Sequence, residues 1–360
     1  MILGVLFIFF IFINALALLF SQKYQHSNFL MRWYYRNVFQ RIFRSHSYRH
    51  VLSWAVPFFY CSLIGSFSLL YYTKLMNYEI KDNNNHSLTL IHLHLVENYL
   101  FIPALTISNL GLVYLCYRNA FKNKKTATSL HNYDHILYHP NTLCRTCQAP
   151  KPARSKHCSV CQECIPAMDH HCIWLNACVS QSNLVYFDTL LLVNLCSLLY
   201  ISTRSGLMIK SLNQQFVTFL KNSTSDKGAL VAKFKIARKN LLMLFLLAFS
   251  FLLVMTWFVY TQVKLIIDGM SSSESDKWFV IHSLIYDGFV YKINDKYYVV
   301  TEDSKKDGSF NKFNSINFYD GRVYTFDHSM ENCLVESPEE IVNIYDKGTF
   351  IENLKERWSL

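Results

Sequence analysis

Apolar residues in this chain are gathered into long runs instead of being spread at the spacing of a soluble core, and the runs predict membrane-spanning helices. Residues 1–20, 51–73 and 98–117 carry no charge, although Pro103, Asn109 and Gly111 interrupt the third. Residues 184–203 tolerate Asp188 near the start and meet Arg204 just past the end, and 240–263 is the cleanest run. Each is close to the ~20 residues that cross ~30 Å of hydrocarbon as helix. Asp188, inside such a helix, must reach headgroups or water. No Lys or Arg precedes the first run, so it reads as an uncleaved anchor in preference to a cleaved signal peptide, which wants a positive leader. Composition agrees with a membrane class over several soluble domains: 51% of the 360 residues are hydrophobic and 16% aromatic.

Charge asymmetry then sets orientation, because Lys and Arg beside a span stay on the cytoplasmic side. The loop 21–50 has six basic residues and no acidic one, so it is expected to be cytoplasmic. Counting spans, 74–94 becomes a lumenal loop, 118–183 a cytoplasmic cysteine-rich domain, 204–239 a second lumenal loop and 264–360 a cytoplasmic tail. Two sequons, Asn85-His86-Ser87 and Asn222-Ser223-Thr224, fall in the loops expected to be lumenal. Residues 210–239 break the charge rule, with seven basic residues against Asp226 alone. The orientation is kept, since turning that loop inward would require one of its two flanking runs not to cross.

The formal net charge of +10 is unevenly divided, because the tail after Val263 has 11 basic and 17 acidic residues. The positive excess is membrane-proximal and fits attraction to anionic headgroups. No helix-turn-helix or RNA-binding signature accompanies it, so no nucleic-acid partner is expected. In the tail, FVYKINDKYYVV (289–300) predicts a β-hairpin around Asn294-Asp295, while 304–309 and 337–340 read as loops.

Chemistry concentrates between Cys144 and Cys178, in the spacing C-x2-C-x9-H-C-x2-C-x2-C-x4-D-H-H-C-x5-C. Seven cysteines and three histidines lie there: Cys144, Cys147, Cys158, Cys161, Cys164, Cys172, Cys178, His157, His170 and His171. Two tetrahedral zinc ions take four ligands each, which leaves one Cys and one His over. A segment this short, with few large aliphatics, draws much of its folding free energy from metal. A disulfide framework is disfavoured in a cytoplasmic segment. Cys61, Cys116 and Cys196 lie in apolar runs and read as packing residues or minor lipidation sites, and Cys333 is isolated. Cys172 has company that a bystander would not need: His170 can take its proton, and Asp169 can orient the imidazole. Spacing alone leaves open whether His170 or His171 is a ligand.

The module, continued by Asn183 and Phe187, resembles the DHHC-type protein S-acyltransferases, the palmitoyltransferases of eukaryotic membranes. The resemblance implies an α-helical polytopic membrane protein, with a four-helix acyltransferase core around an acyl-chain cavity, an extra N-terminal span here, and a cytoplasmic two-zinc module. It implies one structural zinc on Cys144, Cys147, His157 and Cys164, and another on Cys158, Cys161, His171 and Cys178. It makes Cys172 the acyl-accepting nucleophile, His170 its base and Asp169 the orienter. Ser271-Ser272-Ser273-Glu274 stands where the family has Thr-Thr-x-Glu, and Asn343-Ile344-Tyr345-Asp346-Lys347-Gly348 looks like its tail motif; a helix cap and a turn are the bland alternatives. The extra span, Ile173 in place of the usual Pro, DGMSSSESDKW and NIYDKGTF look like the fungal branch that palmitoylates SNAREs and other membrane proteins at cysteines beside their spans. That branch sits in the endoplasmic reticulum. Ala177 and Ser180 depart from the family's common Asn and Gly.

The expected reaction is transfer of palmitate from palmitoyl-CoA through Cys172 to a substrate cysteine. Lys151, Arg154 and Lys156 could meet the CoA phosphates or form a patch facing headgroups. Trp174 and Phe187 could cover the first acyl carbons or anchor the interface. A membrane-anchored zinc scaffold is the alternative function, and a thiol redox role would need a metal-free resolving cysteine that the ligand count does not supply.

Overall fold

The computed structural model describes residues 29–39, 46–70, 79–81, 87–89, 97–120, 131–222, 227–293, 296–299, 309–312, 323–325 and 334–359. The chain divides into two compact units, Met1–Ser62 and Leu63–Leu360. In the first, helix α1 (Phe29–Tyr34) runs on as a π-helical turn (Tyr35–Phe39). Helix α2 (His46–Leu70) begins in that unit. The apolar run at 1–20 lies outside the described residues.

The second unit opens with a short antiparallel pair, β1 (Glu79–Lys81) and β2 (Ser87–Thr89), and a π-helical turn (Glu97–Phe101) leads into α3 (Ile102–Ala120). Two small hairpins follow in the cysteine-rich region: β3 (Lys156–Cys158) with β4 (Glu163–Ile165), and β5 (Met168–Cys172) with β6 (Ala177–Ser180). Helices α4 (Leu184–Asn222), α5 (Lys227–Ile267) and α6 (Ser272–Tyr286) come next. A four-stranded antiparallel sheet of β7 (Val290–Ile293), β8 (Lys296–Val299), β9 (Ser309–Lys312) and β10 (Val323–Thr325) precedes the terminal helix α7 (Phe350–Trp358). The tail hairpin expected around residues 294–295 is the β7–β8 pair, with Val290 opposite Val299.

Among the described residues three helices are long and apolar enough to cross a membrane: Tyr99–Ala120, Leu184–Val217 and Val231–Ile267. Ser53–Leu69 is a shorter apolar helix. No more than 28% of any long helix's most apolar window is buried, as suits side chains solvated by lipid. The protein is a multi-pass membrane protein. Neighbouring helices meet through polar contacts: Ser68 and Thr106 hydroxyls lie 3.0 Å apart, and Asn109 Nδ2 donates to Ser197 Oγ at 3.2 Å.

Two features differ from the pattern read in the sequence. The segment 204–239, drawn as a loop, is helical on both sides of residues 223–226, which lie outside the described residues. Its apolar positions recur at helical spacing, and they bury Leu212 and Phe216 against the facing helix, where Phe234 stacks on Phe216 at 3.7 Å. The second feature concerns Asp188. It is buried and paired within the protein: Arg357 Nε donates to its Oδ2 at 3.0 Å, and Trp358 Nε1 does so at 2.8 Å.

The tail folds back on the cysteine-rich region. Trp278, Ile281 and Ile285 of α6 pack with Leu137, Val290 and Val335 in one core. Gly269, at the junction of α5 and α6, has φ +60°, and a Cβ there would stand 2.6 Å from Asp346 Cα. Only glycine lets the C-terminal segment approach this closely.

Candidate active site and metal centres

Strand geometry distributes the ligands. Successive side chains of a strand point to opposite faces. On β3 this sends His157 and Cys158 apart, and on β5 it separates His171 from His170 and Cys172. Each histidine meets a cysteine directly across its hairpin, His157 opposite Cys164 and His171 opposite Cys178. The C-x2-C turns supply the remaining thiols. In both, the second cysteine's N–H donates to the first one's Sγ at 3.4 Å, and Gln148 and Gln162 close the turns with φ of +54° and +57°.

Two four-donor groups result, Cys144, Cys147, His157 and Cys164, and Cys158, Cys161, His171 and Cys178, with the ligand atoms of each within 4.8 Å of one another. In the second, His171 Nδ1 lies 3.6, 3.5 and 3.5 Å from the sulfurs of Cys158, Cys161 and Cys178. In the first, His157 Nδ1 is 3.3 Å from Cys147 Sγ and 3.9 Å from Cys164 Sγ. A tetrahedron with metal bonds of about 2.0–2.3 Å has edges of about 3.3–3.8 Å. Both Cys3His sets therefore fit zinc in size and in donor chemistry. All seven cysteines of the module are free, so no disulfide competes for them. Cys172 and His170 belong to neither set.

The leftover pair shares one face of β5 at i and i+2. A β-bulge between Met168 and His170 frees Asp169 from the ladder and turns it toward its neighbour. Asp169 Oδ2 accepts from His170 Nδ1 at 2.6 Å and from Ser272 Oγ at 2.9 Å, while Oδ1 accepts from Ser272 N–H at 2.8 Å. Ser272 is the first residue of α6, so an unsatisfied helix N-terminal amide is spent on this carboxylate. Burial alone would raise the Asp169 carboxyl; the His170 hydrogen bond, the Arg357 charge and the Ser272 N–H hold it below its ordinary value. Burial likewise opposes a charged His170, yet hydrogen bonds with Asp169 and Cys172 raise it to about 9. Phe187 packs its ring edge-to-face on His170 at 5.2 Å.

Asn183, fully buried, joins this hairpin to the membrane helices: its Nδ2 donates to Cys116 O at 3.0 Å and Cys178 O at 3.1 Å, and its Oδ1 accepts from Ser180 N–H. Cys172 packs in the same cluster as Cys116, Leu184 and Phe187, at the membrane-facing base of the module.

A family profile described as DHHC palmitoyltransferase matches residues 137–278. The chain is 33% identical to Palmitoyltransferase SWF1 of Kluyveromyces lactis, over 98% of this chain and 98% of that protein. It is 33% identical to the Candida glabrata protein of the same name over 97% and 98%, and 32% identical to that of Saccharomyces cerevisiae over 97% of each. The chain belongs to the DHHC palmitoyltransferase family. It is a fungal S-acyltransferase of the membrane, and the two Cys3His sets are the zinc-binding feature of that family.

Around the DHHC strand the enzyme spends one expected ligand contact differently. Arg154 forms a fork with Glu274, Nε to Oε1 at 2.7 Å and Nη2 to Oε2 at 2.6 Å, and stacks over Tyr345 at 4.6 Å. Its guanidinium holds the fold together and is not free for CoA. Lys151 and Lys156 are half-buried. Burial, with Lys156 and Lys151 close by, lowers Lys277 to about 8 despite Glu274 and Asp134. Trp174 is 47% exposed beside Cys172, whereas Phe187 is buried against the imidazole. Ser271-Ser272-Ser273-Glu274 is both cap and site: Ser271 and Glu274 form a capping box, Ser272 holds Asp169, and Ser273 Oγ donates to Met168 O. Asn343 Nδ2 donates to Asp268 O and Tyr345 OH to Asn132 O, which fastens the tail motif to the helix end and to the module. Sequence reasoning missed Arg357 and Trp358, whose only trace was the unexplained charge of Asp188.

Proposed function

We propose that this palmitoyltransferase works through an acyl-enzyme on Cys172. The observation that carries the reading is that Cys172 lies outside both four-donor groups and shares one face of β5 with His170, itself bound to a buried Asp169. Proton transfer to His170 leaves a Cys172 thiolate. The thiolate attacks the palmitoyl-CoA carbonyl, the Cys172 S–C bond forms, the CoA S–C bond breaks, and the departing CoA sulfur takes the proton from His170. A substrate cysteine then gives its proton to His170 and attacks, and Cys172 leaves. One thioester replaces another twice, so no ATP is needed; proximity and a proton carrier are what the chain must supply. Asp169 keeps the imidazole in the useful tautomer. Zinc, when bound, is structural and fixes the hairpins.

Palmitoyl-CoA is the proposed donor, its phosphates met by Lys151 and Lys156 and its first carbons by Trp174, with Phe187 holding the base. The substrates are membrane proteins carrying cysteines beside their spans, SNAREs among them. A nucleophile packed against helix ends favours a thiol at membrane depth. The proposed setting is the endoplasmic reticulum membrane with the active site on the cytoplasmic side, in keeping with the basic segment 21–50.

The test incubates purified wild type and Cys172→Ser with labelled palmitoyl-CoA. Hydroxylamine-sensitive label is expected on wild type and lost in the variant. Equal labelling of the two ends the assignment.

A further inference from the structure

Asp188 and Asp169 are both buried carboxylates, and one side chain from the C-terminal helix faces both. Arg357, on α7, is itself buried, with 7% of its side chain exposed. Its Nε and Nη2 donate to Asp188 at 3.0 and 3.3 Å, Nη2 also donates to Gln262 Oε1 at 2.8 Å, and Nη1 lies 3.9 Å from Asp169 Oδ1. Thus one guanidinium joins α4, α5 and the DHHC strand. Helix α7 is seated by further contacts: Asn353 Nδ2 donates to Ile267 O, Gln181 Nε2 to Ser359 Oγ, and Trp358 Nε1 to Asp188.

We propose that Arg357 is a positioning residue for acyl transfer, tying Asp169 to the Asp188–Gln262 pair so that His170 is aimed only when α7 is docked. The inference rests on the reading that Cys172 and His170 carry the chemistry. Asp169 already takes three hydrogen bonds, and Arg357 adds a charge on the side of Oδ1 away from the imidazole. A planar fork serves this geometry because it can hold Asp188 with two nitrogens and present the third to Asp169. An ammonium can do only part of it.

The test measures single-turnover loading of Cys172 from palmitoyl-CoA on full-length enzyme at saturating donor, for Arg357→Met, Asp169→Asn, the double variant and Arg357→Lys. If Arg357 acts through Asp169, Arg357→Met slows loading about tenfold in the wild-type background and less than about twofold where Asp169 is already Asn. Half-saturating donor and zinc content stay unchanged, and Arg357→Lys recovers part of the rate. Wild-type loading in Arg357→Met, or the same fold loss in both backgrounds, overturns the proposal. Should Arg357→Met fail to fold, Asp188→Asn and Arg357→Lys carry the same cycle with Asp169→Asn, and additivity there overturns it equally. Absence of label on Cys172 in wild type would instead overturn the reading beneath it.

Discussion

Asp169 is the residue at which the site's demands meet. A buried carboxylate is tolerable only when its lone pairs are filled, and here they are filled from a neighbouring side chain, a helix N-terminus and a serine hydroxyl. Ser272→Ala keeps the backbone donor and removes the hydroxyl. A hydrogen bond to a charged group contributes about 1.5–3 kcal/mol, so loading of Cys172 should slow by about tenfold or more, with zinc content unchanged. Initial rates of label incorporation check this. That one thiol stands outside the two four-donor sets was legible in the sequence, because two tetrahedral ions use eight of the ten Cys and His donors between Cys144 and Cys178. The role of Arg154 was not. A cation in a basic stretch reads as a phosphate ligand, and nothing local announces that its carboxylate partner lies 120 positions away.

At the scale of elements, a strand's two-residue period does the sorting that spacing could not. It decides that His171 turns to the metal donors and His170 to the thiol, which the sequence alone left open. Helix α6 then presents its capped N-terminus to the strand, and its third residue, Glu274, anchors the module through Arg154. Removing one partner of a buried pair costs about 3–5 kcal/mol. Glu274→Ala should therefore lower the thermal unfolding midpoint in detergent, and Arg154→Ala should do so to a similar extent. The two together should cost less than the sum of the singles. The tail hairpin was legible because alternation and an Asn-Asp turn are local signals. The helical extensions past 204 and before 240 were not, since basic residues diluted the apolar run and the burial that shapes them comes from the facing helix.

Over the whole molecule, the two Cys3His sets organise the 144–178 region while the long apolar helices make up the membrane part. Exhaustive chelation should release about two zinc ions per chain, abolish loading and expose the 144–178 region to protease, while the helices stay membrane-embedded. Elemental analysis and limited proteolysis read this out. Orientation has its own check. If 74–94 and the α4–α5 tip are lumenal, Asn85→Gln and Asn222→Gln should each remove one glycosidase-sensitive mobility step. At 1.5 Å per residue the 39 residues of α4 and 41 of α5 extend about 60 Å, roughly twice the hydrocarbon thickness. The apolar stretches Leu184–Val217 and Val231–Ile267 are not uncharged along that length: Arg204 and Lys210 interrupt the first, and Lys233, Lys235, Arg238 and Lys239 stand near the start of the second. Those cations seek headgroups or water, so they limit how far either rod can shift along the bilayer normal. Tyr99–Ala120, at 22 residues, has as little latitude. Reconstituted into vesicles of increasing lipid chain length, acyl transfer should peak where the bilayer matches these spans and fall on either side, the basic collars of α4 and α5 setting the thickness the enzyme tolerates.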